Sequence, residues 1–265
     1  MRADLHTHTT ASDGSMTPAQ VVERAKFGGL DVVAVTDHDT ISGIDEALNV
    51  GKELGVRVIP GIEISTYSNC EIHILGYNID YLNPDFLQEL DQIKKYRVAR
   101  NLEIEKLLKA QNVNVDIDFL GDGLGRMTIA RAIVSARYAS DINDAFKKYL
   151  GIGGTAYTEA KRMTPVGAVS LIKKYGGLSS IAHPKKYLLD KRLEMLISGL
   201  KKFGLDGLEV YYPSHTDADN IALNKIASRF KLLPTGGSDF HGEGDKIFSI
   251  DFDARLEKSL FSGNR

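Results

Sequence analysis

At 265 residues and 43% hydrophobic content, the chain can bury a full core and needs no more than one domain with an insertion. A net charge of −2 gives no global pull toward nucleic acid or an acidic membrane, so any recognition of a polyanion must be local. The single cysteine, Cys70, excludes an internal disulfide framework and fits a reducing compartment.

No charged-then-apolar leader precedes His6. The longest apolar runs fall far short of the roughly 20 residues that span a bilayer. The expected setting is therefore the cytoplasm, with no membrane and no stable protein partner.

Ala3–Leu5 opens the first strand. Thr17-Pro18 with Gln20 reads as a helix N-terminus, and Gly28-Gly29 as its stop. A strand over 31–36 follows, then a helix from about Ser42 to Leu54 closed by Gly55. Two more strands are expected to end near Glu63 and Tyr77. The alternation then lapses into a charged helical pattern from Asn83 to about Ala110. It resumes with a strand to His183, a helix over 191–203, a strand over 206–211, a helix over 217–230 and a strand to Gly237. About seven short strands with intervening helices predict an α/β fold, a closed parallel or mostly parallel barrel. The barrel would comprise 1–80 and 161–265, with 81–160 a helical insertion that covers the active site.

All seven histidines lie at or near the ends of short apolar runs, most beside an acidic residue. His6-Thr-His8 follows the first strand, with Asp13 beyond. Val32–Thr36 runs into Asp37-His38-Asp39, and Val58–Ile62 into Glu63. His73 sits in an apolar run, Ser180-Ile181-Ala182 ends in His183, and Gly237-Ser238 leads to Asp239-Phe-His241. His6 and His8, two apart on a strand, would share a face. Nearly every candidate is expected at a C-terminal strand end, where barrel enzymes place their sites. Imidazoles and carboxylates gathered there are what several divalent transition-metal ions require.

The ordered series Asp4-Leu-His6-Thr-His8, Asp13, Thr36-Asp37-His38-Asp39, Gly61-Ile-Glu63, His73, Ala182-His183-Pro184 and Gly237-Ser238-Asp239-Phe-His241 resembles the PHP (polymerase and histidinol phosphatase) superfamily. That resemblance implies a distorted seven-stranded (β/α) barrel of the PHP type holding a trinuclear metal centre. It implies that His6, His8, Glu63 and Asp239 hold one ion. Glu63, His73 and His183 would hold a second, with Glu63 bridging, and Asp13, His38 and His241 a third. Manganese is the expected metal, with iron or zinc as alternatives. Asp4, Asp37 and Asp39 are expected to orient imidazole rings.

Gly125-Arg126-Met127-Thr128-Ile129-Ala130-Arg131 and Gly207-Leu-Glu209-Val-Tyr211-Tyr212-Pro213-Ser214-His215 are similar to the nucleotide phosphoesterases within that superfamily. The implied substrate is a nucleoside 5′-monophosphate or 3′,5′-bisphosphate, with short RNA 5′ ends as a further possibility. Divalent ions neutralise phosphate oxygens and lower the pKa of a bound water toward roughly 7, so a metal-bound hydroxide is the expected nucleophile. Glu63 and Asp239 would serve the chemistry, and His215 could be a general acid, a phosphate contact or a helix cap. Arg126 is the expected substrate anchor, with Arg131 and Lys161 beside it. Arg97 and Arg100 are expected on a solvated helix surface or as salt-bridge partners of Glu103 and Glu105. The competing readings are a histidinol-phosphate phosphatase and a non-catalytic or proofreading PHP module.

Overall fold

The computed structural model describes residues 1–115, 125–158, 162–186, 191–242, 244–247, 250–251 and 254–261. Two compact units are present: 1–87 with 163–265, and 88–162.

In the first unit the order is β1 (Arg2–Thr7), α1 (Pro18–Phe27), β2 (Val32–Val35), α2 (Ile44–Leu54), β3 (Arg57–Tyr67) and β4 (Glu71–Tyr77). Helix α3 (Pro84–Lys109) leads out of this unit, and α4 (Arg126–Ser135) and α5 (Ile142–Ala145) belong to the second. The first unit resumes with α6 (Pro165–Lys174), β5 (Leu178–Ile181), α7 (Lys191–Lys201), β6 (Gly207–Tyr211), α8 (Asp217–Phe230), β7 (Leu233–Gly236), β8 (Ile250–Asp251) and α9 (Ala254–Phe261).

Among the described residues the strands form one mixed sheet in the order β7-β6-β5-β4-β3-β2-β1-β8. The pairs β1/β2, β2/β3, β5/β6 and β6/β7 are parallel, whereas β4 is antiparallel to both β3 and β5. The sheet curls into a nearly closed barrel. Beyond β7 the chain meets β1, where Asp239 N donates to His6 O at 2.9 Å and His8 N to Phe240 O at 2.8 Å. Gly237 permits this approach, because a Cβ there would lie 2.4 Å from His6 Cβ and His6 N.

The strand that was expected to end near Glu63 runs on through Ile64-Ser65-Thr66-Tyr67 and turns at Asn69 in the left-handed region. Thr and Tyr favour strand, and Asn tolerates positive φ, so a hairpin forms in place of a crossover. Glu63 therefore sits in mid-strand, and His73 lies near the start of an antiparallel strand, opposite Ser65.

Helix α1 starts where its residues dictate. Thr17 and Gln20 form a capping box, Pro18 occupies the first turn, and Gly28 ends the helix. Such a cap is worth about 1 kcal/mol. Strand β2 is buried on both faces, as parallel strands in α/β folds are. Val32 and Ala34 join Ala3, Leu5, Ile59, Leu75 and Tyr77, together with Leu256 and Leu260 of α9. Val33 and Val35 pack instead with Val21, Val22 and Ala25 of α1 and Ala47 of α2.

The second unit has its own core, in which Ile104 and Leu108 of α3 meet Ile129 and Ile133 of α4 and Leu150. Arg97 and Arg100 are not on a solvated surface: both are buried, and Arg100 donates through Nε and a terminal nitrogen to Asn101 Oδ1. That oxygen offsets part of the cost of burying the Arg100 guanidinium.

Candidate metal centre

Strand β1, the middle of β3, the start of β4 and the loops after β1, β2, β5 and β7 bring His6, His8, Asp13, His38, Glu63, His73, His183, Asp239 and His241 to one place. His6 lies in the buried run of β1, which ends at Thr7, and His8 follows it, with the two ring centroids 5.2 Å apart. The His8 ring stacks on His241 at 4.3 Å and lies 4.6 Å from His38. The His73 ring centroid lies 5.1 Å from that of His38 and 5.2 Å from that of His183.

Glu63 is the hub. Its Oε1 lies 3.0 Å from His73 Nδ1, 3.0 Å from His183 Nε2 and 3.4 Å from His6 Nε2. Its Oε2 lies 3.0 Å from His38 Nδ1 and 3.3 Å from His8 Nε2. Asp239 Oδ1 faces His8 Nε2 at 3.1 Å and His6 Nε2 at 3.3 Å. Asp13 is aimed at His241, with Oδ1 3.3 Å from Nε2.

Among the described residues there are three groups whose donor atoms all lie within 4.8 Å of one another inside the group: His6, His8, Glu63 and Asp239; His38, Glu63 and His73; and His8, Asp13, His38 and His241. The second and third groups differ from the sets implied by resemblance. His38 joins Glu63 and His73, and His8 joins Asp13, while His183 touches the second group through Glu63.

The local backbone is strained where these groups converge. His183 and Asp239 hold φ of 26° and 55°, uncommon for residues with a Cβ, and such outliers concentrate at functional sites.

Crowding sets the charges. Burial alone would raise the Glu63 carboxyl, but His38, His73 and His6 hold it well below the ordinary range. Asp13 and Asp239 are likewise held low against burial, Asp13 mainly by His38 and His241, Asp239 mainly by His6 and His8. Burial would lower the His8 imidazole, yet Asp239 and Glu63 push it up to about 10. Against the same penalty, Glu63 and Glu71 push His73 up to about 9. His38 goes down to about 3, because burial outweighs the attraction of Glu63 and Asp13 and because His8 and His73 repel its charged form.

Several of these atoms face one another without making a hydrogen bond. His6 Nε2, both ring nitrogens of His8, His38 Nδ1 and Glu63 Oε2 are buried without a hydrogen bond among the described residues. An unmet buried polar group costs about 1–3 kcal/mol, so this many at one spot needs a compensating ligand. Imidazole nitrogens interleaved with carboxylate oxygens are the donor set of Zn, Fe and Mn ions, and the residues present fit such ions.

The aspartates expected to orient imidazoles hold backbone as well as side chains. Asp4 accepts from Ser238 N at 2.9 Å, from Ser238 Oγ at 2.5 Å and from His6 N at 3.1 Å. Asp37 accepts from Thr9 N, Thr9 Oγ1 and Ser12 Oγ, and Asp39 from Ser65 N. The carboxylates set against ring nitrogens outside the metal-ligand series are Glu71, at 3.2 Å from His73 Nε2, and Glu209, at 3.0 Å from His6 Nδ1.

Sequence reasoning missed Glu209, Lys186 and the use of Tyr212. Tyr212 donates its hydroxyl to Asp239 Oδ2 at 2.8 Å, and Lys186 Nζ donates to the same oxygen at 2.8 Å. A glutamate inside the apolar run Leu208-Glu209-Val210 was the available signal, since fully buried acids are rare unless paired.

His215 stands beside the cluster and belongs to none of its donor groups. Its Nδ1–H donates to Val210 O at 2.8 Å, and its ring lies 5.3 Å from that of Tyr212. Arg126 and Arg131 lie in the second unit. Arg126 opens α4, donates to Thr158 O at 3.3 Å and lies 5.2 Å from the Tyr157 ring, and Arg131 is half-buried on the same helix. Lys161 lies outside the described residues.

The PHP domain family model matches residues 4–159. The chain is 40% identical over 244 residues to a 5′-3′ exoribonuclease of Haemophilus influenzae, covering 90% of this chain and 89% of that protein. It is 33% identical over 264 residues to a phosphoribosyl 1,2-cyclic phosphate 1,2-diphosphodiesterase of Eggerthella lenta, covering 95% and 98%. A 3′,5′-nucleoside bisphosphate phosphatase of Chromobacterium violaceum is 32% identical over 250 residues, covering 91% and 88%. Among solved structures, a Chromobacterium violaceum protein described as an amidohydrolase, with sulfate and no metal bound, superposes with a TM-score of 0.87 at 30% identity, covering 97% of this chain and 96% of that one. One described as a metal-dependent phosphoesterase, from Bifidobacterium adolescentis, superposes with a TM-score of 0.84 at 28% identity, covering 98% and 95%. The chain belongs to the PHP domain family and is a metal-dependent phosphoesterase of that type.

Proposed function

We propose that this protein removes phosphate from nucleotides, a nucleoside 5′-monophosphate or 3′,5′-bisphosphate, with the 5′ ends of short RNA as a further substrate. It would do so with three divalent ions, manganese foremost, held by His6, His8, Asp13, His38, Glu63, His73, His183, Asp239 and His241. The observation that carries this reading is the set of buried ring and carboxylate atoms that crowd around Glu63 without making a hydrogen bond.

Bound there, divalent ions would neutralise phosphate oxygens and activate water. The residues supply the rest. Glu63 faces ring nitrogens with both of its oxygens, which suits a carboxylate shared between two ions. Asp239 would offer Oδ1, which faces His8 and His6, to an ion, while Oδ2 is held by Tyr212 and Lys186. Lys186, 40% exposed at its side chain, sets a positive charge within reach of an incoming anion. Arg126, Arg131, Lys161 and His215 remain the candidates for holding the non-reacting part of the substrate.

The exoribonuclease and bisphosphate phosphatase among the relatives favour nucleotides over histidinol phosphate. A cytoplasmic setting is part of the same reading, supported by the lone cysteine.

A substrate panel with manganese tests it: adenosine 5′-monophosphate, adenosine 3′,5′-bisphosphate, dinucleotides, a ribosyl 1,2-cyclic phosphate and histidinol phosphate. Highest kcat/KM on a nucleotide is expected. Highest kcat/KM on histidinol phosphate would overturn the substrate class.

A further inference from the structure

Glu209 is fully buried on β6 and is outside the set of side chains that converge on Glu63. Its two oxygens do two different things. Oε1 lies 3.0 Å from His6 Nδ1, and Oε2 accepts from the backbone N–H of His183 at 2.6 Å. A carboxylate only accepts, so a proton must sit on His6 Nδ1. The other ring nitrogen, Nε2, is turned toward Glu63 Oε1 at 3.4 Å and Asp239 Oδ1 at 3.3 Å, and it is among the buried atoms that lack a hydrogen bond.

We propose that Glu209 is a positioning residue that fixes the proton of His6 on Nδ1, so that Nε2 offers its lone pair to a divalent cation, while the same carboxylate ties the His183 backbone into the site. This deepens the reading of the metal centre and rests on it. An outer carboxylate that orients a ligating imidazole is a general device of metal sites and typically accounts for about 10- to 100-fold in metal affinity.

The two-ended geometry makes an isosteric change informative. In Glu209→Gln one oxygen becomes an NH2 group. The His183 N–H cannot stop donating, so the amide oxygen is drawn to it and the NH2 faces His6 Nδ1. Two donors cannot meet, so the His6 proton must move to Nε2, the atom the cation needs.

The test uses the full chain loaded with zinc, which is diamagnetic, and the same chain without metal. Nitrogen-15 NMR of the histidine rings reads which His6 nitrogen carries the proton, and competition with a chelator reads zinc affinity. In the wild type, His6 is expected to hold zinc through Nε2 with Nδ1 protonated. Glu209→Gln is expected to bind zinc about 10- to 100-fold more weakly, with unchanged far-UV circular dichroism. Zinc on His6 Nδ1 in the wild type, a measurement that needs no variant, overturns the proposal. So does a Glu209→Gln protein that binds zinc as tightly as wild type with Nδ1 still protonated. Wild type that takes up neither zinc nor manganese overturns the metal-centre reading instead. That failure is distinct, because the Nδ1 proton facing Glu209 would still be seen in the metal-free protein.

Discussion

Tyr212 donates its hydroxyl proton to Asp239 Oδ2 at 2.8 Å, which leaves Oδ1 of the same carboxylate facing His6 and His8. Burial, with Asp239 close by, keeps the phenol pKa raised well above its ordinary value, so it remains a donor at any physiological pH. The bond selects which oxygen of Asp239 is available to a cation. Tyr212→Phe should therefore weaken manganese binding by about tenfold, the lower end for an outer-shell change, because Lys186 still holds Oδ2. Isothermal titration of the metal-free protein checks this. Unchanged affinity would mean that the hydroxyl does not orient Asp239.

In the metal-free protein the charges of the cluster predict an unusual pH profile. His8 and His73, raised from 6.5 to about 10 and about 9, stabilise the metal-free fold fully below 6.5 and lose that contribution as pH rises through 9 to 10. Asp13, Glu63 and Asp239, held low, contribute above their ordinary values of 3.8 to 4.5 and lose it on acidification. His38, lowered to about 3, costs stability below 6.5, so the Tm of the chelator-treated protein should peak near 6.5 and fall toward pH 10. Metal needs unprotonated imidazoles, so the rise in Tm on adding manganese should grow with pH across this range. Calorimetry at stepped pH checks both. A metal-free Tm that climbs steadily from 6.5 to 9 would contradict the assignment.

Gly237 lets the chain beyond β7 pass against β1. A Cβ there would sit 2.4 Å from His6 Cβ and His6 N, where neither strand can yield. Gly237→Ala should cost about 1–3 kcal/mol in urea unfolding and should also weaken metal binding, because the atom it displaces belongs to His6. A variant with wild-type stability would show that the barrel seam is looser than this.

Arg126 has a second possible employment. It donates to Thr158 O and lies beside the Tyr157 ring, which is enough to support a structural role within the helical unit. As a substrate anchor it should contribute about 2–3 kcal/mol through charge-assisted contact, so Arg126→Ala should lose about a hundredfold in kcat/KM on a nucleotide and much less on p-nitrophenyl phosphate. Equal losses on both would assign Arg126 to structure alone.

The histidines and carboxylates were legible in the sequence because their chemistry is conspicuous at the ends of apolar runs, and His6-Thr-His8 brings two rings to one place by spacing alone. The direction of β4 was not. Apolar periodicity is the same for either direction, and only the short turn at Ser68-Asn69-Cys70 distinguishes a hairpin from a crossover. The duties of the carboxylates were also hidden. Asp4 and Asp37 border the motif histidines in sequence yet accept largely from Ser238, Thr9 and Ser12, whereas Glu209 is 203 positions from the His6 ring it meets. Contacts of that separation are created by barrel closure, which no local pattern records.

Nine side chains from strands and loops around Glu63 would together hold several divalent ions at one place. Anomalous-difference maps from crystals of the full chain soaked in manganese test it most directly. Three peaks are expected, with Glu63 touching two of them and His6, His8 and Asp239 around one. A single peak, or peaks away from Glu63 with these side chains dispersed, would contradict it.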